Sequence, residues 1–332
     1  MTVPVVAFFN NKGGVGKTSL VYHLAWMYAD MGINVVASDL DPQANLTAMF
    51  LEEERLEHLW ESERTVYGWL RPLLRGVGDI SDPDPERIED GPSLLVGDLR
   101  LSEFEEELSS QWPNALSGNE RAFRVLSAFW RLMQKAAQLC EASLVLMDLG
   151  PNLGAINRAS LISADYVVIP LSPDLFSLQG LRNLGPTFRR WRRDWKDRLD
   201  RKPGVQLELP EGRMEPIGYV VMQHGVRLDR PVKAYEKWIA RIPEEYSRQV
   251  IEQSPPDHVT VDNDANRLAL LKHYRSLMPL AQEARKPIFH LKPADGAIGS
   301  HAVAAANVHR DFKQLALAIA ERTAIPLPSG IR

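Results

Sequence analysis

The sequence predicts an α/β fold: a doubly wound, mostly parallel sheet flanked by helices on both faces. Three observations carry that prediction. Short apolar, β-prone runs alternate with helix-period segments along the whole chain, as in successive βαβ units. A glycine-rich turn stands between the first such run and the first helical segment. Acidic residues recur where apolar runs end, and ligand chemistry in open α/β sheets sits at the C-terminal ends of strands.

The elements follow in order. Val3–Phe9 is a strand. Residues 10–19 then read Asn-Asn-Lys-Gly-Gly-Val-Gly-Lys-Thr-Ser. Glycines 13, 14 and 16 let successive backbone N–H groups turn toward an anion, and the next helix N-terminus adds positive charge. Strand, glycine-rich loop and helix are the setting of a phosphate-binding loop, with Lys17 placed for the β- and γ-phosphates and Thr18 for Mg²⁺. The helix runs from about Lys17 to Met31 on a stripe of Leu20, Leu24, Met27 and Met31, and ends at Gly32. Val35–Ala37 is a second buried strand, followed by Asp39-Leu40-Asp41-Pro42-Gln43. Pro42 blocks helix at Asp41, so both carboxylates can face one site.

Residues 52–92 are the least regular, with a short helix over Thr65–Leu74 and a Gly-, Pro- and Asp-rich loop over Gly76–Pro92. Ser93–Val96 is a strand. Ser102, with Glu105 three residues on, reads as a capping box that opens a helix to about Ser110. Arg121–Leu139 reads as one long helix, and Ser143–Met147 as a strand closed by Asp148. Tyr166–Leu171 is a strand, Asp174–Arg201 a long helix kinked at Pro186, and Ile217–Met222 a strand. Helical pattern returns over Pro231–Glu252 and Asn266–Ala284, with Pro287–His290 as a last short strand. Ala302–Arg322 closes as a packed helix with Phe312, Leu315, Ala316 and Ile319 on one face, and residues 324–332 are expected to fray. Residues 1–332 are expected to form one domain, with 52–92 and 225–265 as variable elaborations.

Composition bounds the function. Of 332 residues, 45% are hydrophobic and 25% charged, enough to bury a substantial core. The net charge of −4 means that any nucleic-acid binding must use a local patch. The lone cysteine, Cys140, rules out an intrachain disulfide. No apolar run approaches the roughly 18 residues of a membrane span. A cytoplasmic protein is expected.

The phosphate loop departs from the common G-x-x-x-x-G-K-[ST] pattern: Asn11 stands at the first glycine position, and Lys12 precedes the glycine pair. Lys12-Gly13-Gly14-Val15-Gly16-Lys17-Thr18 resembles the deviant Walker A loop of the ParA/MinD class of P-loop ATPases, and is most similar to the ParA partition ATPases. The resemblance implies ATP and Mg²⁺ as cofactors, with residues 12–19 (Lys12, Gly13, Gly14, Val15, Gly16, Lys17, Thr18 and Ser19) around the ATP. It also implies a nucleotide-sandwich homodimer in which Lys12 reaches the partner's phosphates. Asp39–Gln43 is similar to the family's Walker A′ segment, which makes Asp41 the residue that orients the attacking water and places Asp39 near the metal. Asp148 closes Leu144–Met147 as a Walker B acid would, holding Mg²⁺ together with Thr18. The catalytic set implied is therefore Lys12, Lys17 and Asp41, and the metal set Thr18, Asp39 and Asp148. Asp148-Leu149-Gly150-Pro151 resembles the family's Asp-x-Pro switch, with the proline one place later. Resemblance continues through Ser93–Asp98, Leu101–Glu105, Val167–Leu171, Asp174–Leu181 and Ala281–Pro287. By position it makes Gln223, Pro293 and Asp295 adenine contacts.

Arg189, Arg190, Arg192, Arg193 and Lys196 crowd one helix, with Arg198, Arg201 and Lys202 beyond and Asp194, Asp197 and Asp200 interspersed. Leu184, Phe188, Trp191, Trp195 and Leu199 form its apolar stripe, so the tryptophans are core residues. The basic side reads either as a phosphate-contacting surface, giving salt-sensitive and sequence-independent binding, or as a solvated face. The resemblance implies nonspecific double-stranded DNA binding by an ATP-bound dimer, nucleoid association, and slow hydrolysis stimulated by a partner protein the sequence does not identify. The C-terminal helix is alanine-rich and followed by Pro326 and Pro328, so no membrane anchor is expected. Only two residues precede Val3, so no helix-turn-helix is expected ahead of the first strand. The alternatives are a MinD-like positioning ATPase on a membrane or protein surface, and a nucleotide-dependent scaffold or regulator.

Overall fold

The computed structural model describes residues 2–204, 206–223, 232–272, 274, 277–323, 325–328 and 330. Its elements are β1 (Val5–Phe8), α1 (Lys17–Asp30), β2 (Val35–Asp39), α2 (Asn45–Phe50), α3 (Glu53–Glu61), α4 (Val66–Leu74), β3 (Glu86–Arg87) and β4 (Ser93–Leu95). Next come α5 (Phe104–Asn114), α6 (Glu120–Leu126), α7 (Ala128–Leu139), β5 (Leu144–Asp148), α8 (Ala155–Ile162), β6 (Tyr166–Leu171), α9 (Leu175–Leu199) and β7 (Glu215–Gln223). The chain continues through α10 (Val232–Ile239), α11 (Ile242–Tyr246), β8 (Arg267–Lys272), α12 (Leu277–Ala284) and α13 (Ser300–Thr323).

Among the described residues the strands form one sheet in the order β3-β4-β2-β5-β1-β6-β7-β8. Every neighbouring pair is parallel except β3 and β4. Strand alternation feeds two separate cores. Val5 and Ala7 pack with α4 to α9 on one face, and Val6 and Phe8 with α1, α2, α12 and α13 on the other. Burial on both faces is why these strands read as continuous apolar runs. Phe312, Leu315, Ala316 and Ile319 of α13 are buried as expected.

Five expectations are corrected. Asn266–Ala284 is not helical throughout: residues 267–272 form the edge strand β8 against β7, and helix begins only at Leu277. Pro287–His290 is not a strand, since Ile288–His290 makes a 3₁₀ turn. Arg121–Leu139 breaks into α6 and α7 around Ser127, whose hydroxyl donates to the Phe123 carbonyl at 2.6 Å; such back-bonding competes with the helical ladder. Ser102 caps nothing. Asp98 caps a 3₁₀ turn over Leu99–Glu103, and Ser102 Oγ donates to the Leu99 carbonyl inside it. Residues 324–332 do not simply fray, because Ile325 is buried and Leu327 packs against the core; residues 324, 329, 331 and 332 lie outside the described residues, as do 225–231 of the 225–265 elaboration.

Candidate active site

The sheet register assembles the site. β1, β5 and β2 end side by side, with Phe8 level with Asp148 and Asp148 level with Asp39. The chain leaves β1 through the predicted phosphate loop. Gly14 and Gly16 have φ of +71° and +86°, the left-handed region in which only glycine is free of strain. A Cβ on Gly16 would also lie 2.9 Å from Met222 Cε. Among the described residues no side chain caps α1, so its first N–H groups are left for an anion. Buried Asn10 pins the loop. Its Nδ2 donates to the Pro170 carbonyl at 2.7 Å, and its Oδ1 accepts from the Lys12 amide at 3.0 Å.

The two lysines take different places. Lys17 is buried, and its Nζ donates to the carbonyls of Asn10 at 3.2 Å and Lys12 at 3.4 Å. Burial pulls its pKa down, while Asp148 and Asp41 pull it up. Carbonyls are weak partners for an ammonium, so Lys17 is poised to exchange them for phosphate oxygens. Lys12 instead pairs with Asp174 and lies 5.9 Å from the centre of the Phe176 ring. Asp174 serves twice: its other oxygen accepts from the Ser177 amide at 2.9 Å and caps α9. Beside it, Leu175 and Phe176 are 50% and 70% exposed.

The three acids also divide. Asp39 is fully buried and closed, one oxygen accepting from both the amide and hydroxyl of Thr47 at 2.8 and 2.7 Å. Burial pushes its carboxyl up to about 7 against the pull of those hydrogen bonds. Asp41 accepts from the Gln43 amide at 3.0 Å. It is met from the far side by Gly150, where a Cβ would lie 3.1 Å from Asp41 Oδ1. Asp148 is fully buried, and neither of its oxygens has a well-aligned hydrogen-bond partner among the described residues. Burial and the adjacent Asp39 push it up to about 8, opposed by the Thr18 hydroxyl and Lys17. A buried carboxyl group with its hydrogen-bonding capacity this poorly met is costly unless something occupies it.

These groups surround a cavity of ≈ 630 Å³ lined by Gly13, Gly14, Gly16, Lys17, Thr18, Ser19 and Asp41. Pro151 of the loop after β5, Gln43, Asn45, Ala48 and Met49 near α2, and Met278 and Gln282 of α12 complete it. Val15 is buried beneath the loop. The last two lining residues carry no motif; only the fold brings α12 to the phosphate loop. Of the residues placed at adenine by resemblance, Pro293 and Asp295 share a 3₁₀ turn and do not line this cavity. Asp295 is held by Lys286 at 2.8 Å and by the Lys292 amide at 2.9 Å. The side chain of Gln223 lies outside the described residues.

The basic helix is α9, whose helical hydrogen bonding continues past Pro186. Trp191 and Trp195 are core residues as expected. The basic side chains differ in exposure and partners. Arg189 is occupied by the Gln249 carbonyl at 2.8 Å and Glu252 at 3.0 Å. Burial, then the neighbouring Arg189, lowers the pKa of Arg192. Arg190, Arg193 and Lys196 are exposed.

The sequence pattern of the AAA_31 family, described as an AAA domain, matches residues 3–201. The chain belongs to this family. It is a ParA-type P-loop ATPase. The chain is 28% identical over 210 residues to the chromosome partitioning protein ParA of Caulobacter vibrioides, covering 63% of this chain and 70% of that one. It spans 62%, 52% and 41% of the length of three other relatives that it matches. Its fold is that of protein DIP2308 from Corynebacterium diphtheriae, with a TM-score of 0.70, 23% identity and coverage of 96% and 98%. A plasmid partition protein from Borrelia burgdorferi bound to AMPPNP shares it at a TM-score of 0.60, 16% identity and coverage of 96% and 99%. Among the described residues of this ATPase, no helix is long and apolar enough to cross a membrane.

Proposed function

We propose that this ATPase is an ATP-driven partitioning switch: nucleotide binding creates a sandwich homodimer, the dimer binds duplex DNA without sequence preference, and a partner protein stimulates slow hydrolysis. The observation that carries the nucleotide part of the reading is the fully buried Asp148 carboxyl group, which lies beside the Thr18 hydroxyl and Lys17 with no well-aligned hydrogen bond among the described residues, at an uncapped phosphate loop. Among the described residues no three His, Cys, Asp or Glu side chains form a metal cage. Mg²⁺ bound largely by phosphates and water needs none. The residues fit that ion: Thr18 and Asp148 would hold it, with Asp39 behind, and it would neutralise charge on the transferring phosphoryl group. Residues 12–19 cradle the phosphates and Lys17 exchanges its carbonyl partners for them. Asp41, fixed between Gln43 and Gly150, orients the attacking water. Lys12, paired with Asp174 and outside the cavity lining, would leave that pair to reach the phosphates of a second copy. Gln223, Pro293 and Asp295 remain the proposed adenine contacts.

Exposed Arg190, Arg193 and Lys196 are the proposed phosphate contacts on DNA, and residues 1–332 act as one unit on one sheet. The bound AMPPNP of the Borrelia relative and the partitioning role named for the Caulobacter one support the reading. The test is binding of the purified protein to random-sequence duplex DNA with ATP and Mg²⁺ or with ADP, across a salt series. Tight, salt-steep binding confined to ATP supports a DNA-borne switch. Hydrolysis without DNA binding in either state would refute the DNA part and leave a surface-positioning ATPase.

A further inference from the structure

The loop after β5 touches the site at two points. Gly150 abuts Asp41, with a Cβ position 3.1 Å from its Oδ1, and Pro151 meets Gly13 at 3.8 Å by the same measure. What holds this loop lies outside the cavity. Buried Asn157 gathers its middle, with Nδ2 donating to the carbonyls of Gly150 at 2.8 Å and Asn152 at 2.6 Å. Its far end is the start of α8, where the N-cap residue Gly154 offers no side chain of its own. The cap comes from another helix. The Glu105 carboxylate on α5 accepts from the Ala155 amide at 2.5 Å through one oxygen and from the Ile156 amide at 2.8 Å through the other. Gly154 makes room for it, since a Cβ there would lie 2.6 Å from Glu105 Oε1. Two charge-assisted bonds to a helix N-terminus fix both position and direction.

We propose that Glu105 is a positioning residue for hydrolysis: by clamping the first turn of α8 it sets the loop that carries Gly150 to Asp41 and Pro151 to the phosphate loop. The proposal rests on the ATPase reading above. Neither clamp residue lines the nucleotide cavity, so loosening the loop misplaces Asp41 while the phosphate cradle stays intact. Misplacement near the reacting groups lowers turnover without a matching loss of binding.

The test compares the full chain with Glu105→Ala, Glu105→Gln and Asn157→Ala. It reads ATP turnover, affinity for a fluorescent ATP analogue, and backbone hydrogen exchange over residues 149–157 with ATP or ADP. Glu105→Ala is expected to lower kcat by about 10-fold or more and to leave affinity within about twofold. Glu105→Gln, which keeps one acceptor, falls between it and wild type, and Asn157→Ala follows Glu105→Ala. A purely structural role would lower turnover and affinity in step, which overturns the proposal. So would wild-type kcat in a folded variant whose loop exchanges faster. Should Glu105→Ala not fold, the Gln variant and Asn157→Ala decide by the same readouts. Failure of the ATPase reading looks different, because the wild type itself would not turn over ATP. Exchange then decides: slowing of residues 149–154 by ATP in wild type alone supports the clamp, and equal slowing in the variants overturns it.

Discussion

Lowering the pH should detach the C-terminal segment from the phosphate-loop helix, through His23. His23 is buried on α1 and stacks on Phe312 of α13 at 4.9 Å between ring centres. Its Nδ1 lies 2.8 Å from the Ser19 carbonyl, and its Nε2 lies 3.2 Å from the Ile288 amide. A carbonyl can only accept and an amide can only donate, so the ring is neutral with its proton on Nδ1. Burial lowers its pKa from 6.5 to about 4. The unfolded chain therefore takes up a proton from pH 6.5 downward while the fold refuses it until about pH 4. Stability from this group is complete above pH 6.5 and is lost as pH falls toward 4. At about 1.36 kcal/mol per unit of pKa difference, linkage gives a loss of about 2.5 kcal/mol by pH 4.5. Denaturant unfolding of wild type and His23→Gln at pH 7.5 and 4.5 measures it, because the carboxylates common to both cancel in the difference. Wild type should lose about 2.5 kcal/mol more than the variant. Parallel losses would refute the reasoning, since they would mean that His23 titrates alike in the folded and unfolded chain.

Lys17→Ala should abolish nucleotide binding, read by a fluorescent ATP analogue, because Lys17 is the one cationic side chain among the described residues that line the cavity. Asp41→Ala should retain binding, lower hydrolysis by about 10²- to 10⁴-fold, and accumulate an ATP-bound dimer on gel filtration; equal turnover in the two proteins would remove its role. Asp174→Asn keeps the cap on α9 but releases Lys12. It should change stability by under about 1 kcal/mol, yet strengthen ATP-dependent self-association in sedimentation. Arg193→Ala and Lys196→Ala should each weaken DNA binding and reduce the salt slope by about 1, whereas Arg189→Ala should act mainly on stability through Gln249 and Glu252.

What the sequence made legible was local. The phosphate loop, the acids closing β2 and β5 and the stripe of α9 are each contiguous in the chain, and their spacing carries their geometry. Residues 267–272 were misread because Leu268 and Leu271 stand three apart, as on a helix, while an edge strand with one neighbour gives only a weak alternating signal. Glu105 was read as part of its own helix's capping box, though it caps α8, 50 residues away in sequence. The partner of Lys12 lies 162 residues along the chain, and Met278 and Gln282 reach the cavity only through packing of α12. Contacts of this kind depend on how elements pack, which spacing does not record.

One carboxylate, Asp174, holds both the loop lysine and the head of α9. α9 is one continuous helix of 25 residues, about 37 Å along its axis at 1.5 Å per residue. Arg193 stands about 28 Å from that head on the same rise. Whatever draws Lys12 away from Asp174 therefore acts on the head of the same helix that carries the exposed Arg190, Arg193 and Lys196 further along.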